Sequence, residues 1–412
     1  MVLITKIKVE NLRGIKKAEI NGLKQVNIFI GRNGVGKSTI LEAIYLASAW
    51  CKEDSDILKI LDRAPSRKID YIIYRRGLRG DWATAKDFLW YNLRVEVPIK
   101  IGLEFSNNGS RKALDFVILH NDDYGKIWLD IKDLLLEELK QAYFLEALKA
   151  MSEGEEQVFE VAKIHSKFQS LVINFPLFNY KYKEISDYTA KKTEPVLKGR
   201  DLKEWYVQII NKAFKEVIEY LDSIIFLDDF IIRDIEKFEH IYWKSLLKTR
   251  GDKLLIKMLN EGLEADVENL TYAPVDSGYV LMVLLKNTSV RVDDLGSGSR
   301  DALIRLMPLI TVKNTAALLE EPENHLHPGG LQVFMKYLLR VAKENRLQLF
   351  ISTHSIELVY FAYKLSEEIG IDTRVFFLEK DEDGAVSYRI LEKIDIDTLR
   401  KLGLDPRFLD II

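Results

Sequence analysis

Residues 31–38 read Gly-Arg-Asn-Gly-Val-Gly-Lys-Ser, a full match to G-x-x-x-x-G-K-[ST], and what flanks them restricts the local fold sharply. Val26 to Ile30 is apolar except for Asn27, the pattern of a strand buried on both faces. From Ile40 to Trp50, residues Ile40, Ala43, Ile44 and Ala47 fall on one helical face. The order is therefore strand, glycine loop, helix. In that setting the glycines let the backbone wrap with its N–H groups turned inward, and the helix N-terminus adds its positive end. Lys37 supplies a point charge for β- and γ-phosphates, and Ser38 offers a hydroxyl to Mg²⁺. A chance glycine turn would match the letters without the flanking strand and helix. The expected ligand is a nucleoside triphosphate with Mg²⁺, held by Gly31, Arg32, Asn33, Gly34, Val35, Gly36, Lys37, Ser38 and Thr39.

The rest of the chain says what surrounds this loop. Ile4 to Glu10 and Lys16 to Ile20 have strand-like patterns, and Val95 to Phe105 and Ala113 to His120 alternate around a hairpin turn, Asn107-Asn108-Gly109-Ser110-Arg111. These predict antiparallel strands beside a parallel core. From about Lys126 to about Asn269 the texture becomes helical and rich in Leu, Glu and Lys, with one apolar run, Ile224 to Leu227, as a candidate strand. Sustained heptads are missing, so a compact helical insertion is expected and not a coiled-coil arm. Strand patterns return at Tyr279 to Leu285, Ser289 to Val292, Thr315 to Leu319 and Leu347 to Ser352, and Asp381-Glu382-Asp383-Gly384 reads as a hairpin turn. With 412 residues, 47% of them hydrophobic, two structural units are expected. The formal net charge of −3 gives no overall field toward nucleic acid, so any DNA contact would need a local patch. The single cysteine, Cys51, rules out an internal disulfide and suits a reducing cytoplasm. No apolar run is long enough for a membrane span, and the N-terminus lacks the pattern of a signal peptide.

Ala316-Ala317-Leu318-Leu319-Glu320-Glu321 resembles a Walker B strand, whose acid holds Mg²⁺ and whose following glutamate orients the attacking water. Most of the chain stands between it and Lys37, which requires a large insertion. Leu295-Gly296-Ser297-Gly298-Ser299-Arg300 precedes that strand and opens a helix. Together with Phe350-Ile351-Ser352-Thr353-His354-Ser355, these motifs appear in the order found in ABC-type ATPases. The chain resembles the ATPase part of the overcoming-lysogenization-defect (OLD) family and its RecF- and SMC-like relatives, as does Asn11-Leu12-Arg13-Gly14-Ile15 near its start.

The resemblance implies an α/β fold: an ABC-ATPase head with a P-loop core sheet, an antiparallel β subdomain and a largely helical insertion. Residues 1–125 and 270–412 would form the two parts of the head and 126–269 the insertion. It implies a homodimer in which each ATP lies between the phosphate loop of one copy and Leu295, Gly296, Ser297, Gly298 and Ser299 of the other. Glu320 would join Ser38 on Mg²⁺, Glu321 would act on the water, and His354 would meet the γ-phosphate beside Lys37. Glu320 stands where Asp is usual, and one more methylene lengthens its reach by about 1.5 Å, tolerable for a carboxylate acting through a metal-bound water.

Glu323, His325 and His327 have zinc-ligand types without a nearby partner to close the site, and the same positions match the loop that meets the second subunit. The basic clusters Lys16-Lys17, Arg75-Arg76 with Arg79, and Lys191-Lys192 with Lys198 and Arg200 are better explained as solvated faces than as phosphate contacts. The stretch after His354 is too short for the Toprim nuclease that several OLD-family proteins carry, so a nuclease or other effector would be a separate chain. The expectation is an ATPase that dimerises on ATP and drives or gates a partner, with DNA repair or anti-phage defence as the family context. The alternatives are a nucleotide-switched scaffold with negligible turnover and, less favoured, a metal-dependent nuclease.

Overall fold

The computed structural model describes residues 1–49, 51–52, 54–56, 58–60, 65–77, 80–120, 127–130, 172–174, 214–232, 235–263, 266–275 and 278–402. Val2–Leu12 (β1) and Ile15–Asn21 (β2) form a hairpin, and Val26–Gly31 (β3) runs into the glycine loop and the helix Lys37–Ser48 (α1). Lys68–Tyr74 (α2) and the short turn of helix Trp82–Ala85 (α3) follow. Next come Ile99–Asn107 (β4), Ser110–Ile118 (β5), Ile127–Asp130 (β6), Val172–Asn174 (β7) and Ile225–Leu227 (β8). Asp229–Ile232 (α4), Ile235–Thr249 (α5) and Gly251–Leu263 (α6) lead to the strands Val267–Val275 (β9), Gly278–Leu285 (β10) and Ser289–Arg291 (β11). The chain continues through Ser297–Thr311 (α7), Ala316–Glu320 (β12), Pro328–Glu344 (α8), Gln348–Ser352 (β13) and Ile356–Ile369 (α9). It closes with Thr373–Lys380 (β14), Ala385–Leu391 (β15) and Lys393–Leu402 (α10).

Twelve strands join in one mixed sheet, ordered β7-β6-β5-β4-β1-β2-β15-β14-β3-β13-β12-β8. The stretch from β14 to β8 is parallel and the stretch from β7 to β2 antiparallel. Helix α1 packs on β3, β12 and β13 of the parallel part and also on β1 and β4 of the antiparallel part. The sheet therefore curls around this helix, and α1 is apolar nearly all round because it has sheet on more than one side. The architecture is the α/β fold expected, with a parallel phosphate-loop core and an antiparallel β part. Strand β3 is fully buried, as its sequence predicts, and Asn27 is accommodated by hydrogen bonds to the Lys24 and Leu349 carbonyls at 2.8 and 3.1 Å.

The turn between β4 and β5 puts Asn108 and Gly109 at φ 48° and 88°, the left-handed pair that a tight hairpin needs. Asp381-Glu382-Asp383-Gly384 is likewise the turn between the antiparallel pair β14 and β15. Within 126–269 the described residues contribute three strands as well as helices. Strands β6 and β7 extend the antiparallel end, and β8 forms the outer parallel strand beside β12. Helices α5 and α6 pack against α7, and α8 packs against α6, α7 and α9, while β9–β11 form a separate three-stranded sheet. Lys191, Lys192, Lys198, Arg200 and Arg79 lie outside the described residues.

Candidate functional site

Gly31 ends β3 at φ 150°, where a Cβ would stand 2.5 Å from the Leu378 carbonyl oxygen of β14, so only glycine lets the loop leave between these strands. Gly36 caps α1 at φ 110°, and a Cβ there would meet Ile15 Cδ1 at 2.7 Å. The loop is thus pressed between the end of β14 and the turn of the β1–β2 hairpin. Lys37 folds back over it, its Nζ donating to the Gly31 and Arg32 carbonyls, each at 2.9 Å. Lys380, at the end of β14, donates to the Gly34 carbonyl at 2.7 Å. Arg32, Asn33 and Gly34 are exposed, Val35 and Thr39 are buried, and Ser38 is half-buried in the first helical turn.

Strands β3 and β12 both border β13, so their carboxyl ends lie on either side of the one that precedes His354. This is the edge of a parallel sheet where ligands bind. Glu320 closes β12 in register with Ser352. Glu321 takes φ 44°, uncommon for a residue with a side chain, while its N–H donates to the Ser352 carbonyl at 2.9 Å. Its Oε1 meets His354 Nε2 at 3.2 Å. The hydrogen bond to His354 holds the Glu321 carboxyl below the usual carboxylate range, against the opposing effect of partial burial, and the charge of Lys37 adds to the lowering. The structure thus brings together Lys37, Glu320, Glu321 and His354 at one edge.

Glu323 behaves differently from the sequence expectation that it joins His325 on a surface meeting a second subunit. Its carboxylate turns inward, with Oε1 accepting from Thr353 Oγ1 at 2.5 Å and from the His354 N–H at 3.1 Å, and burial raises its pKa. Glu323 Oε2 and His354 Nδ1 are buried without a hydrogen-bond partner. His327 caps α8 by accepting from the Gly329 N–H at 3.3 Å, and His325 is exposed. Three different tasks separate the three residues weighed as zinc ligands. Among the described residues no group of three or more His, Cys, Asp or Glu could hold a metal ion. Ser38 and Glu320 are hard oxygen donors, and such a pair suits Mg²⁺, which keeps its waters and takes phosphate oxygens in place of a full protein cage.

A network that sequence reasoning assigned to solvent lies under this edge. Arg75 is 4% exposed and pairs with three carboxylates: Glu320, Glu42, and Asp228, whose Oδ2 is 2.7 Å from Nε. Glu42, fully buried in α1, also binds Arg13 at 2.7 Å and Arg76 at 2.8 Å. Burial opposes charge on Arg75, yet Asp228 and Glu42 outweigh it and raise its pKa. The same competition leaves Glu42 on the acidic side, because three guanidiniums overcome its desolvation. The Arg75-Arg76 cluster is therefore partly an internal ion-pair hub. The available signals were a glutamate inside an otherwise apolar helix and two aspartates, Asp228 and Asp229, directly after the apolar run that became β8.

The signature-like residues stand elsewhere. Leu295 is buried, Gly296 caps α7 with open space where a Cβ would be, and the helix begins at Ser297. A Cβ on Gly298 would come within 2.6 Å of the His325 carbonyl oxygen, so the start of α7 is pressed onto the loop that follows β12. Ser299 donates its N–H to the Gly296 carbonyl at 3.0 Å. Helix α7 packs chiefly with α4, α5, α6 and α8, whereas α1 packs with the sheet and α2. The signature residues and the phosphate loop thus belong to different packing groups of one chain. A polar path does reach the acids: buried Arg305 of α7 donates to Asp229 Oδ1 at 3.1 Å, and Asn324 donates to Asp229 Oδ2 at 3.0 Å and lies 3.4 Å from Glu321 Oε2.

The family described as an AAA ATPase domain matches residues 3–241 and 133–359. An ATP/GTP phosphatase of Helicobacter pylori is 19% identical over 394 residues, 92% of this chain and 93% of that protein. The DNA replication and repair protein RecF of Acinetobacter baylyi is 46% identical over 43 residues, 10% of this chain and 12% of RecF. The SMC head domain from Thermotoga maritima superposes with a TM-score of 0.44 at 12% identity, over 94% of this chain and 99% of that one.

Proposed function

The chain belongs to the AAA ATPase domain family, and we propose that it is an ATPase of the RecF- and SMC-like group, two copies of which close on ATP with Mg²⁺ and reopen when it is hydrolysed. The observation that carries this reading is the contact of Glu321 with His354 at the edge that also presents Lys37. Gly31 to Thr39 hold the phosphates, with Lys37 leaving its two carbonyl partners to meet them. Glu321, kept ionised by His354, orients the attacking water and accepts its proton, and His354 senses the γ-phosphate. Ser38 and Glu320 hold Mg²⁺, which supplies charge neutralisation on the phosphates.

Leu295, Gly296, Ser297, Gly298 and Ser299 complete the site of the other copy in a two-fold dimer. The separation of α7 from the packing group of α1 supports that arrangement, and the Arg305–Asp229–Asn324 path links the signature helix to Glu321 of its own chain. The head consists of residues 1–125 and 270–412 joined by the strands β6, β7 and β8, and the remainder of 126–269 is the insertion through which a partner is driven. The RecF relative is named for DNA replication and repair, so DNA is the first effector to test, with anti-phage defence as the second context. Glu321→Gln is expected to trap an ATP-bound dimer, and a variant that stays monomeric with ATP in light scattering would sink the mechanism.

One observation favours a second reading, a nucleotide-switched scaffold with very slow turnover. Glu320 replaces the usual Asp and its carboxylate is engaged by Arg75. Phosphate release measured with and without DNA separates the two.

A further inference from the structure

Glu320 and Asp228 follow one another in register on adjacent parallel strands, since Leu319 pairs with Leu227 and each is succeeded by an acid. Two carboxylates at that spacing repel each other and together attract a divalent cation. The cation found between them is Arg75. Its Nε lies 2.7 Å from Asp228 Oδ2, another nitrogen holds Glu320, and the guanidinium lies over the Phe226 ring at 4.7 Å. Its place is fixed from two further sides: Tyr71 Oη donates to both Asp228 oxygens at 2.8 Å, and Arg75 also pairs with Glu42. Glu42 has Arg13 and Arg76 of its own, so the charge of Arg75 is not needed to neutralise it. Three arginines face three acids and the cluster is formally neutral.

A bare divalent ion approaching Glu320 meets a ligand already satisfied by a fixed cation. The phosphates of a nucleotide bring their own negative charge and restore the attraction. We propose that Arg75 is a positioning residue that offsets the charge of the Glu320–Asp228 pair, so that the site accepts a divalent cation only together with the nucleotide's phosphates. The proposal rests on the assignment of Glu320 to the metal, and its test reads metal binding apart from hydrolysis.

Mn²⁺ is titrated into the full chain without nucleotide and the free ion is followed by electron paramagnetic resonance, for the parent, Arg75→Met, Arg75→Gln and Arg75→Lys. The two neutral variants should bind Mn²⁺ at least about tenfold more tightly than the parent, as expected when one adjacent charge is removed. Arg75→Lys should stay near the parent, and adding Asp228→Asn to Arg75→Gln should reverse the gain. Arg75→Gln keeps hydrogen bonding to Asp228 and Glu42 in case Arg75→Met does not fold, which circular dichroism checks. Folded neutral variants that bind Mn²⁺ no better than the parent overturn the proposal, as does a lysine variant that gains as much as they do. A measurement on the parent alone also decides: nucleotide-free Mn²⁺ binding that is already tight and is lost in Glu320→Gln means Arg75 does not guard the site. Nucleotide binding in EDTA is measured in parallel, and its failure in every protein counts against the phosphate-loop assignment and not against Arg75.

Discussion

Glu321 carries the most chemistry for its size. Its backbone sits at φ 44°, held there by the N–H bond to Ser352, so the carboxylate is aimed before any substrate arrives. Replacing it with Gln keeps the shape and removes the proposed base, so kcat for phosphate release should fall by about 10²-fold or more while nucleotide affinity is kept. Equal losses in affinity and turnover would assign Glu321 to binding instead. Lys68 is a different case, a buried amine whose Nζ donates to Ser48 Oγ at 2.9 Å and whose pKa burial lowers to about 8. In the unfolded chain the amine keeps its proton up to the ordinary lysine range, so between about pH 8 and 10 the unfolded state binds more protons and stability rises with pH. Below that window the full cost of charging the buried amine is present, on the order of 3 kcal/mol. Lys68→Met should therefore be more stable than the parent to urea at pH 7, with an advantage that shrinks toward pH 10. A lysine variant difference that does not change with pH would mean that Lys68 is not desolvated as described.

At the scale of elements, the strand–loop–helix unit was readable because each part has a local cause. Strand β3 is apolar enough to be buried on both faces, and Gly31 and Gly36 stand where a side chain would strike Leu378 or Ile15. The hub around Arg75 was not readable, because its members come from the β1–β2 turn, α1, the end of α2, the residue after β8 and the end of β12, and nothing local marks Arg75 as internal. The inward turn of Glu323 was hidden for the same reason: its partners Thr353 and His354 follow a different strand. The start of α7 offers a test of how tightly two such elements are joined. Gly298→Ala would place a methyl 2.6 Å from the His325 carbonyl, a backbone atom that cannot swing away. The helix or the loop must shift, at a cost of about 1–3 kcal/mol, readable as a lower urea midpoint with an unchanged slope. An alanine variant as stable as the parent would show that this junction is loose.

For the whole molecule, the motifs announced the class of fold, and the long separation of Lys37 from Glu320 announced an insertion. The proposed assembly rests on where the fold places these parts. Helix α1 lies inside the curl of the sheet and α7 lies among α4, α5, α6 and α8, so one chain presents a phosphate loop and a signature in two separate packing groups. If each site is built from two copies, the two halves can be damaged on different chains. Lys37→Ala removes the loop's charge, and Gly296→Arg fills the open space at the helix cap. Each variant alone should be inactive in phosphate release. Mixed in equal amounts, half of the dimers are heterodimers, and in each of those one site combines the intact loop of one chain with the intact signature of the other. About a quarter of the parent activity should return if exchange is random and sites act independently. A site made within one chain predicts no recovery at any mixing ratio, since every chain then carries one damaged half.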